Sequence, residues 1–310
     1  MYSTDEKLTS LKIVLTDYFK SEDFILNEVS VGRTNLNYFL SFSWKKYFLR
    51  TNILKVPEDT MFWWKLEKEY HILLLLKNLW ISANPYHFHK DSIIQFLLLE
   101  CLDGFMPRNF YENQKIIIDS LSELQNIDIT NFSFLEKYTL CEDFEKKIHD
   151  RMKLIQDIEI KSILERITSI FPSFHGKIKE EYCICHNDFR ADNILISPEK
   201  NHAWIIDVEG FIISDRYIDI AEFYIGGIFW NTFIDEDLFN YDTYVNLLDT
   251  YGYKDRVKQK YLYILEYCSY LSWIAMHIST TEKPLDIYIE TLEINRKKYY
   301  RDVQPFILQI

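Results

Sequence analysis

The apolar positions of this 310-residue chain change period as it proceeds. Val29 to Phe42 and Lys46 to Asn52 read as consecutive strands, with turns at Gly32 and around Trp44-Lys45. Phe62 to Leu76 shifts to helical spacing, and Ile93 to Leu99 is an unbroken apolar run of strand length, closed by the acidic turn Glu100-Cys101-Leu102-Asp103-Gly104. Asn113 to Ile127 and Leu135 to Phe171 are helical in period, as is most of the chain from Tyr217 onward, with breaks expected near Gly226-Gly227, Gly252 and Pro284. Between these helical stretches stand Ile194-Leu195-Ile196 and Ala203-Trp204-Ile205-Ile206, separated by the polar turn Ser197 to Asn201, which reads as a β-hairpin. The pattern predicts an α+β chain whose strand-rich first third precedes a helix-rich remainder built around one hairpin.

That hairpin is framed by chemistry. His186, Asp188 and Asn193 fill the spacing H-x-D-x-x-x-x-N, and Asp207 follows the second strand. In a kinase loop of this form the Asp takes the proton of the attacking hydroxyl, the Asn holds magnesium and the later Asp holds the metal that bridges the phosphates. An antiparallel hairpin is expected to return Asn193 and Asp207 to the same end, where two hard oxygen ligands suit Mg²⁺. Taken singly, Asp207 could cap a turn and Asn193 could start a strand; four such residues together favour the chemical reading.

The run from His186 to Asp207, with Glu209 and the later Asp219-Ile220-Ala221, resembles the aminoglycoside phosphotransferase and choline kinase superfamily of small-molecule kinases. The His-Asn-Asp form of the loop and the string Thr34-Asn35-Leu36-Asn37-Tyr38 are most similar to the choline kinase branch. The resemblance implies a two-lobed protein-kinase-like fold, with a small β-rich lobe and hinge over residues 1–102 and a larger helical lobe over 103–310. It implies ATP and Mg²⁺ as cofactors, Asp188 as catalytic base with His186 and Arg190 beside it, Asn193 and Asp207 as metal ligands, and Asp219 as a buried brace. Arg190 stands where protein kinases carry a phosphate-contacting Lys and is read as a γ-phosphate clamp. The frequent His after the first helix of the second lobe is replaced by Gln125.

Nucleotide-binding positions follow from the same template. No G-x-G-x-x-G is present, so Thr34 and Asn35 are expected to cover the phosphates through hydroxyl, amide and backbone donors. Arg50 takes the place of the kinase lysine, since a guanidinium binds phosphate oxygens bidentately. Glu69 is its expected partner, with Glu67 competing, and Glu100 and Leu102 would offer backbone groups to the adenine edge. The alternatives are an ordinary hairpin, a solvated helix face and a core strand.

Substrate choice is open at this level. Tyr270 and Trp273, three apart on a helix, resemble the aromatic cage helix of choline kinases, where ring faces hold a quaternary ammonium; plain core packing is the competing reading. Glu209, Glu222, Tyr224 and Trp230 could line the same pocket. An aminoglycoside site would instead draw on Asp215, Glu222, Asp235, Glu236 and Asp237. The expectation is phosphoryl transfer to a hydroxyl of a small cationic molecule of the choline or ethanolamine type, with an antibiotic phosphotransferase as alternative and a catalytically inactive nucleotide-binding pseudokinase as the alternative of another class. No Asp-Phe-Gly or Ala-Pro-Glu follows Asp207, which disfavours a protein kinase.

Composition changes this picture little. A net charge of −12 disfavours nucleic acid and suits a cationic substrate. Five cysteines without CxxC spacing favour reduced thiols and a cytoplasmic setting, and no apolar run reaches the roughly 18 residues of a membrane span. Only 7 glycines occur, so those at Gly32, Gly104 and Gly210, on the proposed functional turns, are expected to answer backbone needs.

Overall fold

A computed structural model describes residues 4–29, 36–51, 60–77, 79–107, 110–229 and 241–309. In chain order these form α1 (Thr4–Phe19), β1 (Phe24–Val29), β2 (Leu36–Phe42), β3 (Lys45–Thr51), α2 (Thr60–Leu76), β4 (Pro85–Lys90), β5 (Gln95–Glu100) and α3 (Phe110–Gln125). There follow α4 (Glu145–Met152), α5 (Ile158–Thr168), β6 (Tyr182–Cys185), β7 (Ile194–Ile196), β8 (Ala203–Ile205), β9 (Ile212–Asp215), α6 (Ile218–Phe229), α7 (Tyr241–Thr250), α8 (Arg256–Thr280) and α9 (Asp286–Lys298). The contacts divide the chain into one compact unit of Met1–Phe105 with Leu195–Glu209, and another of Met106–Ile194 with Gly210–Ile310. The boundary expected at residue 102 falls near the end of the first unit's first segment, and residues 195–209 return to that unit.

The first unit is built on an antiparallel sheet of order β1-β2-β3-β5-β4. Alternation in β2 turns Tyr38 and Leu40 inward and leaves Phe39 exposed, and Leu40, Leu49, Phe96 and Leu98 pack with Leu11 and Leu15 of α1 into a fully buried core. Truncating any of these leucines to Ala is expected to cost about 2–5 kcal/mol. The β2–β3 turn runs through Ser43, whose φ of 55° matches the left-handed demand of a tight hairpin. The Glu100 end of β5 leads to Gly104, where an added Cβ would lie 3.0 Å from Leu195 Cβ, 3.1 Å from Ile196 O and 3.2 Å from Trp204, so only glycine lets the chain pass the β7–β8 hairpin. Ile205 N–H donates to Ile81 O at 2.7 Å, and Phe105 exchanges backbone hydrogen bonds with Ile196, binding the returning hairpin to this unit.

The second unit packs its helices around α8, against which α4, α5, α6 and α9 lie. Its core is rich in tyrosine: Tyr224, Tyr244, Tyr253, Tyr261, Tyr263, Tyr267 and Tyr299 are all fully enclosed. A buried phenol needs a partner for its hydroxyl. Tyr253 O–H donates to Gln125 Oε1 at 2.8 Å, Tyr267 O–H to Asn295 O at 2.6 Å and Tyr261 O–H to Glu145 at 2.6 Å. Gln125 also donates to Arg216 O at 2.8 Å, so the residue in place of the missing His ties α3 to the chain before α6 and to the turn before α8.

The helical stretch Leu135 to Phe171 is divided, and one expected break is absent. A π-helical turn at Leu140–Phe144 enters α4, and Asp157, accepting from Ile160 N–H at 3.0 Å, caps a fresh start at α5. No break occurs at Gly226-Gly227, because α6 runs through both. A Cβ on Gly226 would lie 2.4 Å from Tyr270 Oη, so this glycine serves helix approach rather than helix ending. The break at Gly252 is present, with φ of 86°, and Pro284 lies in the connection from α8 to α9.

Candidate active site

The loop after β6 is held from outside itself. Asp219, fully buried at the start of α6, accepts the backbone N–H of His186 at 2.8 Å and of Asn187 at 3.0 Å. Asn187 adopts φ of 61°, a conformation Asn tolerates better than most residues, and this turns the chain so that Asp188 emerges with its side chain 48% exposed. Burial raises the Asp219 carboxyl above its ordinary range, with His186 and the two N–H donors pulling the other way. His186 is itself buried, its ring edge-on to Phe189 and Phe211, so it serves as a packed anchor of the loop.

Asp188 is positioned by two neighbours. Asn193 Nδ2 donates to the Asp188 carbonyl at 2.8 Å and to its carboxylate at 3.0 Å, and Arg190 Nε lies 3.1 Å from the other carboxylate oxygen. Arg190 also reaches Asp192 at 2.8 Å. Because both acceptors lie on the Nδ2 side, the amide orientation is determined and Asn193 Oδ1, a hard oxygen with no hydrogen bond among the described residues, is left over. That donor set fits a magnesium ligand.

Within the first unit, Arg50 on β3 gathers three carboxylates. Its Nη1 meets Glu69 at 2.7 Å and Asp207 at 2.9 Å, and its Nη2 lies 3.9 Å from Glu209. Glu69 rather than Glu67 is therefore the partner; Glu67 pairs with Lys90 at the surface. Lys65, one helical turn before Glu69 on α2, reaches Glu209 at 2.9 Å, as i, i+4 spacing allows. Burial pushes the Glu69 carboxyl up to about 7 against the pull of Arg50, while the three carboxylates outweigh burial and raise Arg50 further above its ordinary value. Asp207 follows β8 with φ of 61°, a strained backbone for a non-glycine residue at a position that a metal ligand or a tight turn would occupy. Three carboxylates against the two cations Arg50 and Lys65 leave acidic oxygen ligands in excess, which suits a divalent cation.

The model of the phosphotransferase enzyme family matches residues 25–251. The chain belongs to that family. Among curated proteins none matches this phosphotransferase in sequence. Among solved structures it is similar to a Plasmodium vivax ethanolamine kinase, with TM-score 0.68 and 17% identity over 97% of this chain and 91% of that one. It is also similar to a choline kinase of Streptococcus pneumoniae, with TM-score 0.63 and 18% identity over 93% and 98% of the two chains. A third likeness is to an aminoglycoside phosphotransferase solved with ADP and hygromycin B, with TM-score 0.66 and 10% identity over 96% and 98%. At these identities the likeness is one of fold, and the enzyme has the kinase-like α+β fold expected from its motifs. Among the described residues no helix is long and apolar enough to cross a membrane.

Other expected positions of the phosphotransferase divide. Glu100 N–H is spent on Asn84 O at 2.9 Å and its carboxylate accepts from Asn84 at 2.7 Å, while Leu102 lies in the irregular segment beyond β5. Thr34, Asn35, Gly32, Trp230, Asp235, Glu236 and Asp237 lie outside the described residues. Tyr224 is 1% exposed with its ring against Tyr244, a core position. Trp273 stacks on His277 at 4.4 Å and meets Tyr288 edge-on at 5.7 Å, whereas Tyr270 turns toward Gly226 and has Glu222, Glu266 and Asp188 as its charged neighbours. The two aromatics thus face different surroundings. Asp215, a carboxylate of the antibiotic reading, is fully buried and spent on Lys258 Nζ at 2.9 Å and on the N–H groups of Glu181 and Tyr217.

Glu222 does reach the loop: it accepts from Phe189 N–H at 2.9 Å, and burial with the Asp188 charge nearby pushes its carboxyl well up. It also lines a cavity of about 120 Å³ within the second unit, together with Phe144, Lys147, Arg151, Asn187, Glu266 and Ser269. At about 10–15 Å³ per water-sized group, this holds a molecule of roughly ten non-hydrogen atoms. Lys147, Arg151 and Glu266 were not expected from sequence. A signal existed: Glu266 is the lone acid in the apolar run from Tyr261 to Cys268, and Lys147 and Arg151 share a face of α4 at i, i+4.

Proposed function

We propose that the enzyme transfers the γ-phosphoryl group of MgATP to the hydroxyl of a small amine-bearing alcohol of the choline or ethanolamine type. The observation that carries this reading is the Asp188 carboxylate, fixed by Asn193 and Arg190 on a loop braced by Asp219, with Asn187 next to it lining a small cavity. ATP would supply the electrophilic phosphorus and the leaving ADP, and magnesium would offset charge on the phosphates. Asp188 orients the alcohol and takes its proton as the oxygen–phosphorus bond forms and the bond from the γ-phosphorus to the ADP oxygen breaks. Asn193 and Asp207 are the assigned magnesium ligands, and Arg50, kept in place by Glu69, is assigned to the phosphates. Arg190 offsets developing charge. Thr34 and Asn35 are assigned to the phosphates as well, and the Glu100 carbonyl and the Leu102 backbone to the adenine.

Tyr270, which has Glu222 among its charged neighbours, is assigned to contact an ammonium group. A cavity of about 120 Å³ has room for an amino alcohol. Five unpaired cysteines and a requirement for MgATP are consistent with a cytoplasmic setting. The test is MgATP consumption by the purified enzyme with choline, ethanolamine, related amino alcohols, their carboxylated counterparts such as L-serine and L-homoserine, and several aminoglycosides, using Asp188→Asn as the blank. Turnover on an amino alcohol that vanishes in the variant is the expected result; equal turnover in both proteins, or none on any alcohol, overturns the reading.

A further inference from the structure

The cavity beside the catalytic loop is lined by two carboxyl groups and two cations that do not pair with one another. Glu222 and Glu266 come from α6 and α8, and Lys147 and Arg151 from α4. Acids and bases lining so small a space would ordinarily close into ion pairs, since an unpaired buried charge is costly. Here none of the four cation–carboxylate pairings forms a salt bridge. Lys147 Nζ rests instead 4.2 Å above the ring of Tyr138 and 4.7 Å above that of Phe144, and Arg151 donates to Ser269 O at 3.0 Å and Ser269 Oγ at 3.1 Å. Glu266 is only 4% exposed, lines the cavity and makes no hydrogen bond among the described residues. A carboxyl so enclosed and left without a donor marks the place of a ligand donor.

A purely cationic alcohol would answer the two acids while bringing a third positive charge beside Lys147 and Arg151. An alcohol bearing an ammonium and a carboxylate answers all four groups and adds no net charge. Resting on the alcohol-phosphorylating function proposed above, and narrowing its acceptor from the ethanolamine type to amino alcohols that also carry a carboxylate, we infer that the ligand of this cavity is a small zwitterion, a hydroxylated amino acid whose ammonium meets Glu266 and Glu222 and whose carboxylate meets Lys147 and Arg151. The aromatic seat of Lys147 fits this arrangement: the rings stabilise its charge without occupying its donors, which remain for an anion.

The test uses matched pairs that differ only by the carboxylate: L-serine with ethanolamine, L-threonine with 1-amino-2-propanol, and L-homoserine with 3-amino-1-propanol. Calorimetric titration of the full-length wild-type enzyme, without nucleotide, is expected to show at least one amino acid binding tenfold or more tightly than its partner. In Lys147→Gln and Arg151→Gln, checked for folding by thermal melting, that difference is expected to shrink to threefold or less. Amino alcohols binding as tightly as the amino acids, or no binding of any amino acid at 10 mM, a ceiling of roughly 3 kcal/mol on its affinity, would overturn the inference. Tight binding of an amino acid that MgATP does not convert to a phosphate ester would instead overturn the proposed reaction and leave the ligand class standing.

Discussion

Glu266→Gln isolates the energetic cost of the charge on the cavity wall. Burial, opposed by Arg151 and Lys147, pushes the Glu266 carboxyl up to about 8 from an ordinary 4.5. Between those values the unfolded chain releases a proton that the folded enzyme keeps, so the wild type loses stability as pH rises through this window and the loss is complete above the folded value. At about 1.36 kcal/mol per pH unit, the contribution is near zero at pH 4, about 3 kcal/mol at pH 7 and about 5 kcal/mol above pH 8. Glutamine keeps the shape and does not ionise, so the variant should be more stable than wild type by those amounts while binding its amine less well, a trade between stability and function. Urea unfolding at pH 5, 7 and 8.5 reads the effect: with a slope of about 3 kcal/mol/M, the variant's midpoint should lie roughly 1 M above wild type at pH 7 and converge with it towards pH 5. A stability difference independent of pH between 5 and 8.5 would refute the reasoning.

Asp188→Asn should lower turnover by about 10²–10⁴-fold, the usual contribution of a general base, and leave the urea midpoint nearly unchanged, because the side chain is 48% exposed. Asp219→Ala strands the N–H groups of His186 and Asn187 in a buried setting. It should cost about 2–5 kcal/mol and abolish turnover, with Asp219→Asn intermediate; wild-type activity in the alanine variant would remove the bracing role. Gly226→Ala places a methyl against the Tyr270 phenol. It should cost about 1–3 kcal/mol by overpacking, and the cost should largely disappear in a Tyr270→Ala background, so a double-mutant cycle by thermal melting that shows no coupling would contradict the contact.

The residues legible from sequence are those whose spacing is local. His186 to Asn193 form one loop, so their spacing carries their geometry, and Asp219 was recognisable because its motif lies at the head of a helix. Arg50 and Glu69 were paired through the family resemblance, and only the fold separates Glu69 from the competing Glu67. Lys147, Arg151 and Glu266 escaped because they converge through tertiary packing across more than a hundred residues, and a charged residue on a helix reads by default as solvated. Gly226-Gly227 was read as a helix end for a similar reason: the helix that requires the glycine, α8, arrives some forty residues later. Tyr224 looked like a lining residue from its place near Glu222, but Glu222 and Tyr224, two apart on α6, point to different sides of the helix.

The return of residues 195–209 to the first unit bears on how the chain is made. A ribosome that has released residues 1–105 has supplied the sheet but not the hairpin that Phe105 and Ile81 bond, nor Asp207 and Glu209, two of the three carboxylates around Arg50. That unit is completed only after all of α3, α4, α5 and β6 has emerged, so synthesis interleaves the two units. A gene cut at the expected 102/103 boundary would therefore yield a first fragment lacking its own hairpin, and co-expressed halves should complement poorly compared with a cut placed after residue 209.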